Sequence, residues 1–109
     1  MHICLSFIIV ARTEDADNEV YKTIVDAFHT QTVAEFLLEA YKEAYFPAFD
    51  YNADYTVDDN FVNDILNYKS SKDGKTVVKV GVCGSSNDHW LAVQKVLDDE
   101  TAGIYIELV

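Results

Sequence analysis

One turn in this chain carries residue types suited to holding a ligand: Gly84-Ser85-Ser86-Asn87-Asp88, followed at once by His89 and Trp90. Short hydroxyl and amide side chains at the start of a helix lie beside backbone N–H groups with no intrahelical partner. Such a place suits a carboxylate or another small polar ligand. The competing reading is that the same side chains only cap the helix. The stretch is not G-x-G-x-x-G, and no G-x-x-x-x-G-K occurs, so dinucleotide and P-loop chemistry are excluded. His89 beside Asp88 could be tuned as an acid–base group, but neither has a nucleophile or a second acid–base partner beside it. Catalysis is therefore not expected. Trp90 reads as a core anchor rather than a plate for ligand stacking.

The other chemistry-bearing residues are weaker candidates. Cys4 and Cys83 both sit in apolar β-type runs, where a free cysteine behaves as a small hydrophobe. A disulfide between neighbouring strands, or metal or redox use, stays open as an alternative, but no second Cys or His stands at ligand spacing. The carboxylates Asp58, Asp59 and Asp64, and Asp98, Asp99 and Glu100, lack the alternating ligands and central glycine of a calcium loop, so both groups read as solvated faces. His2 and His29 are isolated and read as surface or strand-end residues. No metal and no cofactor is expected.

These residues need a frame to position them. Residues 3–11 form a near-continuous apolar run, the signature of a strand covered on both faces. A polar turn at 13–18 ends in helix-capping residues. Val20, Ile24, Ala27 and Phe28 then mark one helical face. Residues 29–32 break the run, with Thr30 or Thr32 as N-cap, and Val33, Phe36, Leu37, Ala40, Tyr41 and Ala44 mark a second helix that stops before Pro47. Residues 46–56 read as a loop. Thr56 is expected to cap a third helix bearing Val57, Phe61, Val62, Ile65 and Leu66, and residues 70–75 are the most linker-like stretch. Residues 76–83 are a strand by β-branched content. A helix over about 88–98 buries Trp90, Val93 and Leu97, Ala102-Gly103 ends it, and 104–109 is the last strand. The final third is thus a β-α-β unit with parallel strands.

A chain of 109 residues fits one domain. Its net charge of -11, from 8 Lys+Arg against 19 Asp+Glu, repels phosphate backbones and anionic lipid, so nucleic acid is excluded as a partner. The apolar start lacks a basic leader and a small-residue cleavage site, so no export signal is read in the chain, and no apolar run reaches the length of a membrane span.

Two stretches together resemble the substrate-binding lipoproteins of methionine-type ABC importers, the NlpA family, with its type II periplasmic-binding fold. Val78-Lys-Val-Gly-Val82, the polar turn, the helix and Ile104-Tyr-Ile-Glu-Leu-Val109 look like the start of such a receptor. Ile8-Ile-Val-Ala-Arg12, the acidic turn, Asn18 through Asp26, Val33 through Tyr41 and Phe46-Pro-Ala-Phe49 look like its end, which closes on a strand ending Val-Arg, two helices and "I-P-A-F". The order is reversed: residues 1–49 resemble the receptor's C-terminal part, 76–109 its N-terminal part, and 50–75 is a linker with a helix. In a two-lobed receptor the two ends of the chain share one lobe, so both parts can pack together.

The resemblance implies one α/β, three-layer lobe with a mixed three-stranded sheet and about four helices. Strand 76–83 would be central, with 104–109 parallel on one side and 3–11 antiparallel to it. It implies ligand contacts at Gly84, Ser85, Ser86, Asn87 and His89, an amino acid or related small solute as ligand, and an ABC permease as partner. It also implies the outer face of the cytoplasmic membrane as location, although the chain carries no lipobox. Leu5 and Phe7 stand where the family often has a Tyr and an Asn for the ligand's amino-acid group. A lone lobe leaves a sheet edge open, so a homo-oligomer is expected, with exchange of residues 1–49 across the 50–75 tether as one route. The alternative reading is an acidic protein-interaction module with no small-molecule ligand.

Overall fold

The computed structural model describes residues 13–15, 17–41, 47, 49–82 and 87–109. After a 3-10 turn at Thr13–Asp15 come α1 (Glu19–Phe28), α2 (Gln31–Tyr41), α3 (Phe61–Leu66), β1 (Thr76–Val80), α4 (His89–Asp99) and β2 (Ile104–Leu108). The expected strand at 3–11, and Cys4, Cys83 and His2, lie outside the described residues.

Local chemistry sets the helix ends. The Asn18 side chain accepts from the Val20 and Tyr21 N–H groups and caps α1. Only His29 and Thr30 separate α1 from α2. The Thr30 hydroxyl donates back to the Ala27 carbonyl, and the Thr30 carbonyl accepts from the Ala34 N–H. Thr30 thus serves the end of one helix and the start of the next, whereas Thr32 lies inside α2. The third helix starts later than expected. Asp58 accepts the Asn60 N–H on its side chain and the Phe61 N–H on its carbonyl, and this aspartate turn holds residues 57–60 out of the helix. Thr56 is exposed and caps nothing in α3.

α4 lies at the centre, packed against α1, α2, α3 and β2. The largest fully buried side chains come from three helices: Val33 and Phe36 of α2, Ile65 of α3, Val93 and Leu97 of α4. Trp90 is buried among them, as its reading as a core anchor requires. β1 and β2 pair in parallel from Thr76 opposite Ile104 to Val80 opposite Leu108, so residues 76–109 form the expected β-α-β unit. Val78, Val80, Ile104 and Ile106 face the helices. On the other face Val77 is 43% exposed and Lys79 stands opposite Glu107. Among the described residues the sheet therefore has two strands and is covered on one face, where three strands and three layers were expected.

The 50–75 segment is tied down rather than loose. The Gln31 side-chain amide donates to the Asn52 carbonyl and accepts from the Asn52 N–H, each at 2.8 Å. Ile65 is 1% exposed in the core.

α4 ends in a reciprocal pair of backbone bonds, Ala102 N–H to Leu97 C=O and Thr101 N–H to Asp98 C=O, with Thr101 at φ 54. A β-branched residue in the left-handed region is strained. Thr101→Gly should therefore stabilise the fold by about 0.5–1 kcal/mol, since part of the relieved strain is offset by the greater entropy of an unfolded glycine. Urea denaturation checks this, and a loss of stability would contradict the strain.

Candidate functional site

β1 delivers the chain to the candidate turn. Beyond Val80 the ladder extends by one more bond, from the Val82 N–H to the Val109 carbonyl. Gly84, Ser85 and Ser86 lie outside the described residues; Asn87 and His89 are the described members of the candidate set. Both stand at the amino end of α4, beyond the carboxyl end of β1. The first helical turn is organised by backbone carbonyls: Asn87 C=O accepts from Trp90 N–H and Asp88 C=O from Leu91 N–H. The Asp88 side chain makes no capping hydrogen bond.

His89 is only 3% exposed. Its ring lies 5.7 Å from Phe28, 6.4 Å from Tyr41 and 5.8 Å from Trp90, centroid to centroid. Phe28 also meets Trp90 and Phe49 edge-on, and the exposed His29 stacks on Phe49 at 5.0 Å. An aromatic wall thus joins the end of α1, the end of α2 and the Phe49 loop to the start of α4. Burial lowers the His89 pKa from its ordinary value, against a smaller opposing pull from Asp88. A neutral imidazole offers one donor and one acceptor nitrogen.

A second polar centre was not anticipated. Asp98, read from the sequence as part of a solvated face with Asp99 and Glu100, has a side chain only 15% exposed. Tyr68 and Ser70 donate hydroxyl hydrogen bonds to its Oδ2, and Lys75 Nζ and Gln94 Nε2 each reach Oδ1 at 2.9 Å. Asp99 and Glu100 remain exposed, as do Asp58, Asp59 and Asp64. Burial alone would raise the Asp98 pKa, but the bonds from Lys75, Ser70, Tyr68 and Gln94 outweigh it and hold the carboxyl at about 2. The same bond, with burial, pushes Tyr68 up to about 12.

Lys75 Nζ also lies 3.0 Å from Ser70 Oγ, a juxtaposition seen where lysine activates serine. Here the lysine is ion-paired to Asp98 at 2.9 Å and is itself the donor to Ser70, whose hydroxyl proton is directed at Asp98. The carboxylate is too acidic to take that proton. This centre is a structural lock. The sequence signal that could have found it is Gln94 one turn before Asp98, two polar residues on the face that also carries Trp90 and Leu97.

Among the described residues no group of three or more His, Cys, Asp or Glu is placed to hold a metal, and no helix is long and apolar enough to cross a membrane. Residues 5–49 match the family model described as NlpA lipoprotein. The matched segment contains α1 and α2 and ends at Phe49, in the aromatic wall. No curated protein and no solved structure matches the chain.

The buried His89 makes the fold acid-sensitive. Its pKa in the folded state lies below that of the unfolded chain, near 6.5. Its unfavourable protonation is absent above that pH, and stability falls as pH drops below it. Denaturation midpoints should therefore decline from pH 6.5 toward 5 in the native chain and stay flatter in His89→Phe. Parallel curves would contradict the assignment.

Proposed function

We propose that this chain is a non-enzymatic lobe of the solute-binding component of an ABC importer, taking methionine, another amino acid or a related small solute. The observation that carries this reading is the match of residues 5–49 to the NlpA lipoprotein model. The parallel β1–α4–β2 unit supports it, because in open α/β sheets ligands sit beyond the carboxyl ends of the strands, the end at which Asn87 and His89 stand. In this reading residues 1–49 are the end of a receptor and 76–109 the beginning of one. Residues 3–11 supply the third strand, antiparallel along the free edge of β1, and complete the lobe of a type II periplasmic-binding fold. The intact receptor meets an ABC permease at the outer face of the cytoplasmic membrane, and no cofactor or metal takes part.

Gly84, Ser85, Ser86, Asn87 and His89 then form half of a ligand site. Full receptors gain affinity by wrapping the ligand between two lobes and excluding water. One lobe offers two or three polar contacts, each worth about 0.5–1.5 kcal/mol net while the ligand stays wet. That sum does not offset the ~4 kcal/mol or more lost in translational and rotational freedom on association.

The chain should therefore bind free methionine no tighter than millimolar. Amide chemical-shift changes on titration should centre on Asn87 and His89 and disappear in Asn87→Ala. Changes scattered over the surface would count against the site. A micromolar dissociation constant by calorimetry, abolished in Asn87→Ala, would mean that the site is complete in this chain.

A further inference from the structure

Strands add to a sheet through the backbone groups of its edge strands. In β2 the groups pointing toward β1 are identified by their bonds: Gly103 C=O accepts from Thr76 N–H, and Val109 donates to Val80 C=O and accepts from Val82 N–H. By strand alternation, residues 104, 106 and 108 point to the outer edge. There Gln94, 5% exposed on α4, accepts from the Ile106 N–H at 2.8 Å and donates to the Ile104 C=O at 3.0 Å. The side-chain amide thus occupies the place of one peptide group of a neighbouring strand.

Its orientation is fixed. Gln94 Nε2 also donates to Asp98 Oδ1 at 2.9 Å. Turning the amide over would aim its oxygen at a carboxylate and a carbonyl, and its NH2 at the Ile106 N–H. Asp98 is in turn held by Tyr68, Ser70 and Lys75, so the loop after α3 locks the amide in place.

We infer that Gln94 closes the outer edge of β2 to strand addition by a second copy of this chain. The inference rests on the Gln94 hydrogen bonds and is independent of the receptor reading. Failure of ligand binding leaves it untouched.

The test uses nitrogen-15 NMR on the full chain. The two Gln94 side-chain NH2 protons should give well-separated signals that exchange with water at least about tenfold more slowly than those of Asn63 on the exposed side of α3. In Gln94→Met, which keeps length but removes both hydrogen-bonding atoms, the Ile106 amide should exchange about tenfold faster or more. The variant should also self-associate at concentrations where the native chain's sedimentation is constant. A folded variant with unchanged Ile106 exchange and unchanged sedimentation would overturn the inference. If the variant does not fold, the native signals decide: slow Gln94 exchange supports the closed edge, and exchange as fast as Asn63 refutes it.

Discussion

A single carboxylate, Asp98, joins parts of the chain that sequence distance keeps apart. Four groups converge on it: Tyr68 and Ser70 from the loop after α3, Lys75 at the entrance to β1, and Gln94 one turn earlier on α4. A buried carboxylate is costly unless it is paired and fully hydrogen-bonded, and here every donor is supplied by the elements it joins. Losing one donor would leave charge in a mostly buried place, so the loop, the helix and the strand are bound to keep their relative positions. Through Gln94 the constraint reaches the backbone of β2 at Ile104 and Ile106.

That constraint decides where the candidate turn sits. β1 is fixed at its start by Lys75 and along its length by β2, and α4 is fixed at its far end by Asp98. The apolar contacts of Val93 and Leu97 with the other helices set the rotation of α4 about its axis. The amino end of α4, with Asn87 and His89, is therefore positioned by a polar anchor at one end and an aromatic wall at the other.

Much of this frame was legible in the residues. The helical spacing of Ile24, Ala27 and Phe28, and of Val33, Phe36 and Leu37, places those side chains in the core, and β-branched content marks β1. Trp90 was readable as an anchor because a large apolar ring at a helix start has few other uses. The misreadings share a cause. Asp98 looked solvated because its neighbours Asp99 and Glu100 are, and its partners Tyr68, Ser70 and Lys75 stand 30, 28 and 23 residues away. The late start of α3 turned on an aspartate side chain at Asp58 competing with Thr56, a local contest that hydrophobic spacing does not register. In the candidate turn, the burial of His89 among Phe28, Tyr41 and Trp90 is a tertiary fact that residue types do not carry.

The measurement that tests this account most directly is a double-mutant cycle between Asp98→Asn and Gln94→Met, read by urea denaturation. If the carboxylate orients the amide that holds β2, the two changes are coupled, and their interaction energy should fall at about 0.5–3 kcal/mol. Strict additivity of the two single losses would mean that Asp98 and Gln94 act separately and that the lock between loop, helix and strand does not exist.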